Sequence, residues 1–406
     1  MEYVKFSKFI ISTQYGYTAE ETSLVEGDAK YLRITDIVPY FVNKEQVPFC
    51  KIDDNKKKKY LITENDLLIA RTGATTGYNL IVDESYKNFV FASYLIRFNY
   101  NKNDLYPLYL KYVLKSQQWY GFVNNFISGS AQPGMNAKVF GKFQIPFFNY
   151  DIQKRISNIL STYDKLIDNN NKRIKLLEQM TENLYKEWFV RFRIPGYKDV
   201  EFIDGFPKDW EKVKLDDVLN KIATGLNPRK NFVLGEGENF YVTIKNMADN
   251  TVYLDDKCDK VNDDAIIKIN KRSDLKIGDL LFSGIGTIGR VCLIDIPTNN
   301  WNISESVFTM RANKKISSEF LYMLLLSQDV QNYCQSKANG SAQKGIRMGD
   351  LRKYTFLLPT KNVINDFTNQ ISPILRNVSL LRNENKNLIQ QRDMLLPRLM
   401  RGTLKV

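Results

Sequence analysis

Gly129-Ser130-Ala131-Gln132 returns identically as Gly340-Ser341-Ala342-Gln343, 211 positions further on. Working outward, nearly the same spacing recurs at every landmark. Val4-Lys5-Phe6 reappears as Val213-Lys214-Leu215 and Gly16 as Gly225, both shifted by 209. Tyr31-Leu32-Arg33-Ile34-Thr35-Asp36-Ile37 aligns with Tyr241-Val242-Thr243-Ile244-Lys245-Asn246-Met247. Asp66-Leu67-Leu68 returns as Asp279-Leu280-Leu281, each ahead of a glycine-containing turn. Each copy then reaches a proline, Pro146 or Pro359, and enters a long helical pattern. The period is far above the ~20–50 residues of stacked repeats, which excludes a solenoid. The chain is therefore a duplicated unit, a globular domain followed by a long helix. Duplication fixes architecture before it fixes function.

Inside each globular half, strand signals dominate. Tyr60-Leu61-Ile62, Asp66 to Ala70, Tyr78 to Val82 and Phe89 to Phe98 are β-branched or aromatic runs bounded by Asn, Asp or Gly. A helical stretch is expected from Tyr106 to Asn124, with a counterpart from Ser318 to Lys337. Each half reads as a mixed α/β domain on a curved sheet.

The long helices follow a different period. Ile156, Ile159, Tyr163, Leu166, Ile174, Leu177, Leu184 and Trp188 are spaced as in a coiled-coil seam. Phe367, Ile371, Ile374, Val378, Leu381, Leu388, Leu395 and Leu399 do the same in the second copy. One slot in each seam holds asparagine, Asn170 and Asn385, which suits a polar residue fixing register. The plainer reading is that each touches water at a seam edge. From Ile152 to Arg191 such a helix makes a rod of roughly 60 Å. That length suits a ruler between two DNA half-sites, somewhat under two turns of duplex at ~34 Å each.

Composition narrows the chemistry. An apolar fraction of 43% and a charged fraction of 25% are those of a globular protein. Lys and Arg outnumber Asp and Glu by 58 to 45, which favours a polyanionic partner over a basic background. The chain has no histidine, which removes the usual general base and zinc ligand. Cys50, Cys258, Cys292 and Cys334 form no C-x-x-C pair, so neither a metal site nor a disulfide framework is expected. Met1-Glu2-Tyr3-Val4-Lys5 lacks a signal-peptide layout, and no apolar run reaches the ~18 residues of a membrane span. These features imply a cytoplasmic protein.

Three local motifs complete the picture. Gly340 to Ile346, with Leu351-Arg352-Lys353 and a strand ending at Pro359, resembles the end of a target-recognition domain in type I restriction–modification specificity subunits. Asn183 to Val190 resembles the close of that family's central spacer helix, and Leu395 to Gly402 its C-terminal signature. The match covers essentially the whole chain. The resemblance implies an α+β architecture with two similar mixed α/β target-recognition domains, separated by two long antiparallel coiled-coil-like helices in a pseudo-twofold repeat. The corresponding segments are 1–148, a spacer helix at 149–196, 197–360 and a second spacer helix at 361–406. It further implies a non-catalytic reader of double-stranded DNA that docks two methyltransferase subunits and restriction/translocase subunits. S-adenosylmethionine, ATP and Mg would be used only in those partners.

The DNA contacts themselves must be inferred from side-chain chemistry. Arg71 and Thr72 lead into Gly73-Ala74-Thr75-Thr76-Gly77, where small residues let backbone approach phosphate and Thr75 and Thr76 can donate to it. Ser283, Thr287 and Arg290 occupy the comparable turn of the second half. Gln132 and Gln343 can bond adenine bidentately, and Lys344 and Arg347 can grip phosphate or guanine. Arg33 and Lys245 lie on the repeated early strand and are candidates for the binding face. For each, the plainer reading is a turn residue satisfying its own backbone. Lys56 to Lys59 reads as a solvated loop that adds salt-dependent affinity.

Other readings fit less well. Gly284-Ile285-Gly286-Thr287-Ile288-Gly289 matches a dinucleotide-binding spacing, but the residues after it read as strand where a helix is required. No Pro-Pro exists for an amino-methyltransferase motif, and Gly134 to Phe143 fails as a P-loop. The alternatives are a specificity subunit of a type IIB-like system and a helical scaffold with no sequence-specific DNA role.

Overall fold

The computed structural model describes residues 2–19, 21–22, 28–37, 42, 44–127, 134–338, 344–404 and 406. Two compact units divide the chain, Met1–Asn169 with Glu384–Val406, and Asn170–Asn383. Each takes in one globular domain and the adjoining part of both long helices.

The two domains repeat one topology. In the first, Glu2–Lys5 pairs antiparallel with Gln144–Phe147. A four-stranded antiparallel sheet runs in the order Ile10–Tyr15, Leu95–Tyr100, Leu67–Ala70, Asn79–Ile81. A second sheet sets Ala29–Leu32 parallel to Phe89–Phe91 and antiparallel to Phe49–Cys50. In the second domain, Glu211–Lys214 pairs with Thr355–Leu358. Its four-stranded sheet runs Leu219–Thr224, Val307–Ala312, Leu280–Ser283, Val291–Leu293. Asn239–Val242 lies parallel to Trp301–Ile303 and antiparallel to Asp259–Val261.

The central strand explains the fold locally. Leu67-Leu68-Ile69-Ala70 is apolar throughout and buried on both faces. Alternate side chains leave a strand on opposite sides. Leu67 and Ile69 enter the core with Phe98 and Trp119, whereas Leu68 and Ala70 pack with Leu32, Val82 and Phe91. Leu280 and Phe282 separate from Leu281 in the same way. Each of these leucine, isoleucine and phenylalanine side chains contributes about 1.5–3 kcal/mol by leaving water.

The repeated glycine also has a steric cause. A Cβ on Gly16 would lie 2.2 Å from the Ala92 carbonyl oxygen, and one on Gly225 would lie 1.6 Å from that of Ile303. Neither gap admits a methyl group.

Several elements differ from expectation. Tyr60 closes a helix, Asp54–Tyr60, whose N-cap Asp53 accepts from the Lys56 amide at 2.9 Å. The lysine run is therefore helical, and the expected strand at Tyr60-Leu61-Ile62 shrinks to one bridge, Leu61 to Val90. The Phe89–Phe98 run splits at Ala92–Tyr94 into two strands belonging to different sheets. Each helical stretch breaks at a serine, giving Pro107–Val113 and Gln117–Ile127, then Ser318–Leu326 and Gln328–Lys337. Ser116 Oγ donates to the Val113 carbonyl at 2.7 Å and Ser327 Oγ to that of Leu324 at 2.6 Å, so the side chain competes with the helix ladder at the same repeat position.

The long helices span Tyr150–Tyr185, continued by a π-helical turn at Lys186–Val190, and Lys361–Met400. They run antiparallel within each unit. In the first unit Ile156 and Leu160 share a core with Leu399 and Met400, and Asp164 meets Arg392 at 2.8 Å. In the second, Ile174 packs with Val378 and Leu381, and Tyr185 lies 6.2 Å from Phe367. The buried seam is more polar than its spacing suggested. Leu160 is buried where Ile159 was expected, Leu166 is 44% exposed, and Gln153, Ser157, Ser161 and Thr181 are buried. Gln153 explains how: it donates to the carbonyls of Asp104 and Phe148 and accepts from the Tyr106 amide, so its buried amide is fully used.

Candidate nucleic-acid interface

In the second domain the turn Gly284–Gly289 leaves the central strand and folds on its own hydrogen bonds. Ser283 Oγ accepts from the Arg290 amide at 2.8 Å and donates to the Thr287 carbonyl at 2.5 Å. Gly286 and Gly289 hold φ of 81° and 93°, a left-handed backbone that glycine adopts without strain. Residues 344–346, just after the second GSAQ, dock on this turn. Gly286 donates to the Lys344 carbonyl and Ile346 to that of Gly284, each at 2.8 Å, around an Ile285–Gly345 bridge.

The first domain builds the same junction. The Met135 amide donates to the Arg71 carbonyl at 2.8 Å, and Thr72 bridges Gly134. Arg71 donates from its amide to Tyr94 at 3.0 Å, as Gly284 does to Ser306 at 2.9 Å. The structure thus brings together, twice, the glycine turn after the central strand and the segment after GSAQ. Gln132 and Gln343 themselves lie outside the described residues.

Side chains differ between the copies. The Arg71 guanidinium sits 5.1 Å over the ring of exposed Tyr15, a cation–π contact. Arg71 Nε and Thr75 Oγ1 are buried without a hydrogen-bond partner among the described residues. Gly284 replaces Arg71 because a Cβ there would come within 2.3 Å of the Phe308 ring. In the second domain Thr287, Lys344 and Arg347 are exposed around the junction.

Four candidates have partners within the protein itself, and a fifth lies off its expected strand. Thr76 is 4% exposed and donates to the Gly73 carbonyl at 2.7 Å, and Ser283 is fully buried, so both build turns. Arg33 lies beyond its strand, which ends at Leu32, and is bound by Asp36 at 2.8 Å and by Glu21. The hydrogen bond to Asp36, with Glu21 adding to it against a burial cost, raises its pKa and holds it charged and spoken for. Arg290 turns back on the protein, donating to the carbonyls of Ile244 at 2.9 Å and Met247 at 2.5 Å. Lys245 is exposed, on the 3-10 turn Ile244–Asn246 that Arg290 holds, and not on a strand.

Asn170 and Asn385 are 5% and 8% exposed, which places both in the buried seam and not at its wet edge. The G-x-G-x-x-G stretch leads into the strand Val291–Leu293, so it opens no helix for a dinucleotide. Among the described residues no group of three or more Cys, Asp or Glu side chains is placed to hold a metal ion, and no helix is long and apolar enough to cross a membrane. Tyr15 and Tyr94 escaped sequence reading, because nothing local distinguishes a tyrosine beside a binding turn from one on a core strand.

Comparison with known proteins gives a consistent result. The family model for the type I restriction modification DNA specificity domain matches residues 25–179 and again 207–391. The MjaIX specificity subunit of a type I restriction enzyme from Methanocaldococcus jannaschii is 24% identical over 318 residues, 75% of this chain and 71% of the relative. The HindI specificity subunit from Haemophilus influenzae is 22% identical over 425 residues, covering 87% and 91%. The crystal structure of a type I restriction-modification S subunit from M. genitalium superposes with a TM-score of 0.58 at 14% identity, over 98% of this chain and 95% of that one.

Proposed function

The chain belongs to the type I restriction modification DNA specificity family, whose domain it carries twice, and on that premise we propose how it recognises DNA. Each domain reads one half of a bipartite double-stranded site. The junction of glycine turn and post-GSAQ segment is the part that enters the groove. The observation supporting this is the repetition of that junction, down to equivalent backbone bonds at Arg71–Met135 and Gly284–Ile346. Arg71, Thr72 and Thr75 serve the first half-site. Thr287, Lys344 and Arg347 serve the second, with Lys245 beside them. Phosphate contacts set the register and base contacts the sequence.

The helices fix the gap between half-sites and dock two methyltransferase subunits, and restriction/translocase subunits join that assembly in the cytoplasm. Methyl transfer from S-adenosylmethionine and ATP-driven, Mg-dependent work belong to those partners, so this chain contributes recognition and not catalysis.

The test is to map methylated adenines in cellular DNA with and without the gene. A gapped two-part motif that disappears on deletion, with a methyltransferase copurifying, is the expected result. Replacing residues 1–148 by a relative's then changes one half of the motif only. Unchanged methylation on deletion, with no copurifying methyltransferase, would overturn the proposal in favour of a helical scaffold.

A further inference from the structure

The helix Asp54–Tyr60 carries its lysines in its last two turns, with Lys56, Lys58 and Lys59 exposed. Aromatic rings lie beneath them. Lys56 Nζ is 5.8 Å from the Tyr17 ring and Lys59 Nζ 5.5 Å from that of Tyr60, and the two rings are 5.5 Å apart. The acidic residues of the helix, Asp53 and Asp54, lie at its other end, where Asp53 meets Lys56 at 3.1 Å. That pair is half-exposed on both sides and contributes little, so Lys56 is free to exchange it for another anion.

The helix is tied to the four-stranded sheet at its edge strand and the neighbouring one. Gln14 Nε2 and Arg97 Nη2 both donate to the Lys59 carbonyl, at 3.3 and 3.0 Å. Gln14 shares its face of the sheet with Arg97, whereas Tyr15, whose ring carries Arg71, leaves the same strand on the opposite face.

The second domain has spent the same positions differently. Its equivalent helix, Asp263–Ser273, is capped by Asn262 where the first has Asp53. Counting from the caps, Lys56 corresponds to buried Ala265, and Tyr17 corresponds to Leu226 at the offset that relates Gly16 to Gly225. Ala265 and Leu226 pack together with Ile269 in a small apolar core. Lys268, the counterpart of Lys59, is tied to the Asn231 carbonyl at 2.8 Å.

We propose that the Lys56–Lys59 helix of the first domain, with Tyr17 and Tyr60, is a rail for the DNA phosphate backbone that the second domain lacks. The proposal rests on the DNA-reading function above and adds that the two half-sites are gripped with unequal electrostatic strength. Lysine-to-phosphate contacts release counterions, at about 0.9 per phosphate in the slope of log K against log salt.

The experiment compares the assembled methyltransferase complex with its Lys56→Gln/Lys58→Gln/Lys59→Gln variant on cognate and non-cognate duplexes across salt concentrations. The slope is expected to fall by about 2.7, about 0.9 for each of the three lysines, with both duplexes weakened alike and the methylated motif unchanged. A Lys271→Gln/Arg272→Gln variant, which alters the exposed basic end of the second domain's helix, serves as the charge control and should leave the slope within about 0.5 of wild type. An unchanged slope in the triple variant, or an equal fall in the control, overturns the rail. A change in the first half of the motif also overturns it, because the lysines would then be reading bases. A wild-type complex with no preference for a gapped motif would count against the function itself, and the slopes would still decide the rail.

Discussion

Arg290 Nη1 donates to the carbonyl oxygen of Ile244 across 2.9 Å, tying the glycine turn of the second domain to the turn that presents Lys245. Arg290 therefore acts by positioning. Arg290→Ala is expected to relax the second half of the methylated motif and leave the first half intact. The accompanying loss of stability should be about 1.5–3 kcal/mol, the scale of a lost charged hydrogen bond. Methylome sequencing and a melting curve read the two effects separately, and an unaltered second half would remove the positioning role.

The duplicated glycines give a second expectation. Gly225→Ala forces its methyl group against the Ile303 carbonyl, and Gly16→Ala meets Ala92 in the same way. Each should cost at least about 2–4 kcal/mol, seen as a lower melting temperature or loss of soluble protein. Gly121, inside the helix Gln117–Ile127, has open space where a Cβ would go. Gly121→Ala should therefore stabilise by up to about 1 kcal/mol. Equal behaviour of Gly121 and Gly225 would show that close approach is not what keeps the glycine.

A partly buried charge cluster sets a pH dependence. Asp164 accepts from the Tyr112 hydroxyl at 2.7 Å and from Arg392 at 2.8 Å. Beside it, burial, with Lys111 adding repulsion, lowers the Lys115 pKa to about 7. The unfolded lysine titrates near ~10.4, so between these values the unfolded chain binds more protons and stability rises with pH. Below pH 7 the folded state carries the cost of holding a partly buried ammonium, which Asp164 only partly offsets. Lys115→Met is expected to raise the melting temperature more at pH 6.5 than at pH 9.5. An equal gain at both would mean that Lys115 is solvated.

Much of this was legible before any coordinates. The near-constant offset linking Gly16 to Gly225 and Gly129 to Gly340 marked the two-domain architecture, and the Asp66–Ala70 run marked a strand, though not that both its faces would be buried. What was not legible depended on distant partners. Nothing near Ser283 signals that its hydroxyl closes the Gly284–Gly289 turn, and nothing near Arg71 signals the ring of Tyr15. Leu166 misled because hydrophobic spacing assumes an apolar seam, whereas Gln153, Ser157 and Ser161 are buried there with backbone partners for their polar atoms. The lysine run misled because charge suggested a loop, while Asp53 caps a helix.

Asn170 and Asn385 make the last case. They occupy corresponding positions of the two long helices, 215 residues apart in sequence, and both are buried. A buried polar residue in a helix seam costs stability, and its best-attested use is to favour one register over its neighbours. Leucine at either position removes that cost and also removes the penalty on slipped alternatives. Asn170→Leu and Asn385→Leu are therefore each expected to raise the melting temperature, by roughly 1 kcal/mol of added stability. Each should also loosen the gap in the methylated motif, so that sites with neighbouring spacer lengths become modified. The two effects must appear together, since they come from one substitution acting on one seam. A stabilised variant with a single, unchanged gap would mean that register is held elsewhere, by the cores around Phe367 and Leu399. A destabilised variant would mean that the asparagine amides are needed for the hydrogen bonds they make.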